Sequence, residues 1–338
     1  MTLIKSTKER VFRDSKRAAV AGLAVALTFA FGCKKDDEKK PKKKTKVTKP
    51  KVDPKPKPDP KPVVAKKEYK LNAKADLKYV PLDPKQPKGI TLSVLHGNPQ
   101  KDGASFMYFA LPAGADPGLH THTAGYHAVV VSGKHQHWVA GEKPGKHLTA
   151  GDYWYQPGGQ AHGDRCDKSG PCLVFLIMEG KHDFQPTPKA KKVADKGKYS
   201  VTRFADAKYV PFNPKAPKGA AVSGLFGNMK EGASAFFIKV PAGANSGLHS
   251  HTADYHAHVI SGKPTHWLDG KDGADTVIEP GSHWFQPGGA VHGDKCISKK
   301  DCFAFIYFDG PVDAKPKAPA KAPAKAPAKA PAKAPAKK

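Results

Sequence analysis

Short runs rich in Val, Ile, Phe, Tyr and Trp recur through the middle of the chain, each closed off by Gly or Pro: Ser105 to Leu111, Tyr126 to Ser132, Tyr153 to Gln156 and Leu173 to Met178. Runs of this length bounded by turn residues read as strands, and many of them together predict an all-β sandwich or barrel. No long segment carries a helical period. The arrangement then occurs a second time. Gly114-x5-His120-x-His122, followed by Gly151-x5-Pro157-x-Gly159-x2-His162, returns as Gly243-x5-His249-x-His251 and Gly281-x5-Pro287-x-Gly289-x2-His292. Leu-His-Thr/Ser-His-Thr-Ala, Trp-Tyr/Phe-Gln-Pro-Gly-Gly and His-Gly-Asp-Arg/Lys-Cys return with it, although no ligand rule demands them. A repeat of this length sets the fold. Two domains are expected in the 338 residues, at 71–186 and 200–313, each long enough to bury its own core.

Charge changes the picture only outside these repeats. Of the formal net charge of +27, residues 1–70 carry +14, the basic connector 187–199 carries +4 and residues 314–338 carry +8, which leaves +1 for both repeats together. No specific nucleic-acid partner is therefore expected. The Lys/Pro-rich stretch 34–70 and the Lys-Ala-Pro-Ala tail 314–338 are too poor in apolar residues to collapse and are expected to be disordered. They serve either as spacers or, through clustered Lys, as contacts to polyanionic surfaces. Ahead of them a basic stretch (Lys5, Lys8, Arg10, Arg13, Lys16, Arg17) precedes an apolar run from Ala18 to Phe31. Residues 1–33 read as an export signal whose apolar run is too short to cross a bilayer comfortably. Ala30-Phe31-Gly32-Cys33 resembles the bacterial lipobox, with Ala where Leu is usual. That resemblance implies lipidation of Cys33, a membrane partner through the lipid anchor, and an exported lipoprotein at the bacterial cell envelope.

The remaining cysteines fall as Cys166-x5-Cys172 and Cys296-x5-Cys302, one pair per repeat. In an exported chain such pairs predict two disulfides. Each brackets a polar turn and precedes an apolar run, so each bridge is expected to staple a hairpin. Thiols serving metal or redox chemistry are the competing reading, against which Cys-x5-Cys is no standard zinc or thioredoxin spacing.

The two histidine motifs resemble those of the cupin superfamily, Gly-x5-His-x-His-x3,4-Glu-x6-Gly and Gly-x5-Pro-x-Gly-x2-His-x3-Asn, and the longer wording is similar to a bacterial cupin family of unknown function. The second motif matches except that Cys166 and Cys296 replace Asn; the first lacks its glutamate, at whose register stand Tyr126 and Tyr255. The resemblance implies two tandem double-stranded β-helix (jelly-roll, RmlC-like) barrels, a bicupin, with one divalent transition metal in each (Fe, Mn, Ni, Cu or Zn). Strand alternation lets His120 and His122 point into one barrel together, with His162 arriving from another strand beyond the tight Pro-Gly-Gly turn. His249, His251 and His292 repeat the set, and three imidazoles leave positions open on a metal. The fourth ligand is either Tyr126 or the adjacent His127, and either Tyr255 or His256, because alternation lets only one of each pair face inward. Asp164 and Asp294 are expected to orient an imidazole from behind. His137 and His266, each followed by Trp, read as structural, and no site role falls to His147, His182, His258 or His283.

A histidine-rich site leaves more positive charge on a divalent ion than one containing a carboxylate, which favours a small anionic or oxygen-rich molecule. The leading expectation is an envelope-anchored binding or sensing module. A metal-dependent enzyme of dioxygenase or isomerase type is the alternative, and a metal-free structural or storage barrel is the third. No Gly-rich phosphate loop and no serine or cysteine nucleophile motif competes.

Overall fold

The Gly- and Pro-punctuated runs pair into four antiparallel sheets, two for each repeat, in a computed structural model that describes residues 67–187, 197–271 and 276–318. The expected export signal with Cys33, the Lys/Pro-rich stretch up to residue 66, connector residues 188–196 and the tail from residue 319 lie outside the described residues. Among the described residues there is no α-helix, only two three-residue 3-10 turns at Lys74–Asp76 and Phe204–Asp206.

In the first repeat a seven-stranded sheet runs in the order Ser200–Thr202, Tyr153–Gln156, Tyr126–Ser132, Cys172–Met178, Ser105–Leu111, Thr91–His96, Val80–Pro81. A four-stranded sheet faces it, in the order Gln185–Pro186, Gly118–Thr121, His162–Cys166, His135–Val139. The second repeat follows the same plan, with Lys70–Asn72 at the edge of its large sheet and Pro264–Leu268, His292–Cys296 and His249–Ser250 in its small one. This is the expected all-β, two-barrel architecture.

Two edge strands cross between repeats. Lys70–Asn72 pairs with His283–Gln286, setting Leu71 opposite Trp284, while Ser200–Thr202 pairs with Tyr153–Gln156, setting Val201 opposite Trp154. Each barrel is thus finished by the leader of the other repeat. The large sheets are apolar on both faces because both faces are covered. Along Ser105–Leu111, Met107, Phe109 and Leu111 fill the first barrel, whereas Phe106 and Tyr108 join Val129, Tyr153, Phe175 and Ile177 against Phe237, Phe305 and Tyr307 of the second. That shared cluster explains why these strands lack a clean apolar–polar alternation.

Cys166–Cys172 and Cys296–Cys302 are disulfides. The strands they join, His162–Cys166 and Cys172–Met178, lie in different sheets and do not pair. Each bridge therefore ties the small sheet to the large one instead of stapling a hairpin. Jelly-roll topology sends successive strands to opposite sheets, and a six-residue spacing cannot distinguish that from a hairpin.

Candidate metal centres

In the first barrel His120 sits on strand Gly118–Thr121 directly opposite His162, and His122 follows just beyond that strand. Ring centroids lie 5.0 Å (His120–His122), 4.3 Å (His120–His162) and 5.3 Å (His122–His162) apart. The second barrel repeats this at 4.9, 4.4 and 5.2 Å for the corresponding pairs of His249, His251 and His292. Within each triad one nitrogen per ring comes within 4.8 Å of the others. The turn that aims the third histidine depends on glycine: Gly159 has a φ of 77°, and its N–H donates to the His122 carbonyl at 2.6 Å.

Hydrogen bonding fixes the tautomer. His120 Nδ1 donates to the Gly118 carbonyl at 2.9 Å, His162 Nδ1 to Gln160 at 2.9 Å, and His122 Nδ1 to the carbonyl of Asp183. The second triad uses the carbonyls of Gly247 at 3.1 Å, Ala290 at 3.0 Å and Asp313. A carbonyl has no proton to give, so Nδ1 carries a proton and each ring turns its Nε2 to the centre, where that of His292 also meets the Tyr255 hydroxyl. Burial holds His122 and His292 down to about 4 and His162 well below 6.5, and lowers His251. His162 Nε2 is buried without any hydrogen-bond partner. This geometry suits a divalent transition metal bound through Nε2. The repeated Thr after each His-x-His also finds its reason here. Thr123 donates through its backbone N–H at 2.8 Å and its hydroxyl at 2.7 Å to the Asp183 carboxylate, steadying the carbonyl that holds His122; Thr252 and Asp313 do the same for His251.

Of the fourth-ligand candidates, the tyrosines face the centres and the histidines do not. The Tyr126 hydroxyl lies 3.1 Å from His137 Nε2 and its ring 5.6 Å from that of His162, while the Tyr255 hydroxyl lies 3.3 Å from His292 Nε2. Burial raises both phenols well above 10, so they stay protonated. His127 points the other way, with Nδ1 at 2.8 Å from the Tyr153 hydroxyl, Nε2 at 3.2 Å from Glu179 and Phe226 of the second repeat against its ring. His256 lies 3.0 Å from His283 and stacks on Phe106. Pairing of Tyr126 through Val129 with Gln156 through Tyr153 has no bulge that would turn His127 inward.

Asp164 and Asp294 reach the triads themselves. Asp164 Oδ2 stands 3.4 Å from His120 Nε2 and 3.8 Å from His162 Nε2; Asp294 Oδ2 stands 3.8 Å from the Nε2 atoms of both His249 and His292. Burial alone would raise these carboxyls, but the facing imidazoles outweigh it and hold both below the ordinary range. His137, His162 and Asp164 form a further cluster within 4.8 Å in the first barrel.

Sequence reasoning passed over His135, Tyr199 and Tyr69 and gave no site role to His182, all of which neighbour a triad or its surroundings. His135 Nε2 donates to Asp164 Oδ1 at 3.0 Å, and the His182 ring lies 5.5 Å from that of His122. Tyr199, at the end of the connector, bonds His137 Nδ1 at 3.2 Å, and Tyr69, just ahead of the first repeat, stacks on His266 at 4.9 Å. The alternation His135-Gln136-His137 was the available signal for the first, since it puts both imidazoles on one face. His258 and His283 lie between the barrels, where His258 meets the Tyr108 hydroxyl and His283 meets His256. His147 pairs with Asp167 at the surface.

Residues 70–180 match the ChrR cupin-like domain family, and residues 200–332 match a domain of unknown function (DUF4437). No curated protein matches the chain. Among solved structures, a candidate dioxygenase from Nostoc punctiforme PCC 73102 aligns over 75% of this chain and 88% of its own, with a TM-score of 0.59 at 12% identity. Oxalate decarboxylase from Bacillus subtilis aligns over 72% and 77%, with a TM-score of 0.48 at 14% identity, and oxalate decarboxylase from Lactobacillus farciminis over 72% and 86%, with a TM-score of 0.49 at 13% identity. At such identities the Nostoc likeness is one of fold. Together with the ChrR cupin-like match and the duplicated histidine-lined barrels, it makes the chain a member of the cupin superfamily, a bicupin.

Proposed function

We propose that the chain is an envelope-anchored lipoprotein whose two barrels each hold one divalent transition metal through three histidines and there bind a small anionic or oxygen-rich molecule. The observation that carries this reading is the convergence of six Nε2 atoms, three per barrel, each freed by an Nδ1 bond to a backbone carbonyl. Neutral ligands leave a divalent ion positively charged, and a metal with open positions takes oxygen donors readily. The disulfides are compatible with an oxidising compartment, as an exported protein requires. Cys33 would supply the membrane anchor, and the Lys-rich segments would space the barrels from the surface or touch polyanions on it.

The test is elemental analysis of full-length protein purified without a metal-binding tag, followed by retention of radiolabelled carboxylates. About two metals per chain, and carboxylate binding that disappears on chelation, are expected. Metal-free protein that cannot be reconstituted would refute the proposal, as would failure of Cys33→Ser to release the chain from membranes for the anchoring part.

One observation favours turnover as a second reading. In the first barrel Tyr126, His137 and Tyr199 are joined by hydrogen bonds of 3.1 and 3.2 Å, a chain that could carry a proton beside the triad. In the second, His266 is bonded instead to Asp294 and Gln286. A metal-dependent enzyme would then work in the first barrel, and a product formed by wild type but lost in Tyr199→Phe would identify it.

A further inference from the structure

We propose that Asp164 and Asp294 are direct metal ligands, supplying from the second histidine motif the carboxylate that the first motif lacks. This rests on the reading of the histidine triads as metal centres and extends it.

Position comes first. His162 and Asp164 are two residues apart on one strand and share its inner face, as do His292 and Asp294. The glycine between them is covered from outside by tryptophan: a Cβ on Gly163 would lie 2.3 Å from Trp138 Cζ2, and one on Gly293 at the same distance from Trp267 Cζ2. The indole fits only because that residue has no side chain, so the packing fixes the face on which histidine and aspartate stand.

Orientation comes second. In the first barrel His135 Nε2 holds Asp164 Oδ1 at 3.0 Å; in the second, His266 Nδ1 holds Asp294 Oδ1 at 2.8 Å. These are not corresponding residues, since Pro264 stands where His135 stands, opposite the half-cystine of the neighbouring strand. The repeats reach the same carboxylate pose through different hydrogen bonds. In both, Oδ2 is left over and accepts no hydrogen bond from any described residue, although the side chains are only 14% and 28% exposed. What Oδ2 faces is the Nε2 of two histidines, at 3.4 and 3.8 Å in the first barrel and 3.8 Å twice in the second. Lone pairs turned toward one another at these separations repel unless a cation or proton sits between them. Separations of this size are also those of neighbouring donors each about 2.0–2.2 Å from one metal.

The tyrosines at the missing glutamate's register carry no carboxylate and direct their hydroxyls to His137 and His292. Three neutral imidazoles and one carboxylate leave a divalent ion with one net positive charge, so the preference for an anionic ligand persists in weaker form.

Co2+ binding to the full-length chain, read by its visible absorption, tests the assignment. Wild type is expected to take about two Co2+. Asp164→Asn and Asp294→Asn, nearly isosteric, should each weaken one site by more than about 100-fold and alter its d–d band, because a ligand is lost. His135→Gln merely releases Oδ1, and should cost about 10-fold with the band in place. Asn variants that bind within about threefold of wild type with an unchanged band overturn the assignment. A wild-type chain that binds no Co2+ overturns the proposed function itself. Should an Asn variant fail to fold, a crystal structure of Co2+-loaded wild type decides: Oδ2 about 2.0–2.2 Å from the ion upholds the assignment, and Oδ2 beyond about 3 Å overturns it.

Discussion

Acid should weaken the contact between the barrels through His258, and the size of the effect follows from its surroundings. Its ring is fully buried between the repeats, stacked on Phe175 with centroids 5.0 Å apart and bonded through Nδ1 to the Tyr108 hydroxyl at 2.8 Å. Burial holds its pKa down to about 3, against 6.5 for an exposed imidazole. Between those values the unfolded chain takes up a proton that the folded chain refuses. Stability therefore falls as pH drops below 6.5, by about 1.4 kcal/mol per unit, and about 2 kcal/mol has gone by pH 5. Replacing both partners, Tyr108→Phe with His258→Leu, removes the titration and leaves no orphaned polar group. The double variant is expected within about 1 kcal/mol of wild type at pH 7.5 and ahead of it by about 2 kcal/mol at pH 5. Urea denaturation of metal-free protein, followed by Trp fluorescence at both pH values, measures the difference. His283, the nearby imidazole also held well below 6.5, chiefly by burial and then by His258, is present in both chains, so its burial contribution cancels. Equal pH slopes for wild type and double variant would refute the reasoning.

Three further outcomes are expected. Phe184 stacks on His120 at 4.6 Å, whereas Ala314 occupies the corresponding place in the second barrel, whose His249 is more exposed (12% against 4%); a chelator should empty the second centre first, and Phe184→Ala should bring the first to a similar rate. Gly163→Ala forces its new methyl into Trp138 and should cost about 1–3 kcal/mol in thermal or urea unfolding, together with metal at the first centre only. Reducing Cys166–Cys172 and Cys296–Cys302, each of six residues' separation, should lower stability by about 2 kcal/mol apiece on loop entropy, measured by denaturation with and without reductant.

The strands and the triads were legible because both rest on short-range pattern. Alternation places His120 and His122 together, and Pro157-Gly158-Gly159 marks the turn that delivers His162. What could not be read was anything decided by the partner across a face. Tyr126 and His127 are adjacent, so one must point inward, but both faces of that strand are buried, one by its own barrel and one by the other repeat. The usual cue, an inner apolar face and a wet outer one, is absent. The crossing strands Lys70–Asn72 and Ser200–Thr202 are three residues long and owe their place to distant partners, so no local signal marks them. The disulfide pairings followed from spacing, whereas the sheets they join depended on jelly-roll connectivity.

Asp164 shows how the same limit hides chemistry. Two residues beyond a histidine in a strand, it was visible as a neighbour, and a neighbour's ordinary task is to orient the imidazole. Whether it orients or ligates depends on which atoms its two oxygens meet, and those come from other strands: His135 from one side, His120 from the other. Duplication supplies the control that a single barrel lacks. His135 has no counterpart, yet Asp294 stands in the same pose because His266 turns to hold it. Had the aspartates existed only to brace one particular imidazole, replacing that imidazole would have freed the second carboxylate to turn outward. It has instead kept an oxygen aimed between His249 and His292, which is where a cation would require it.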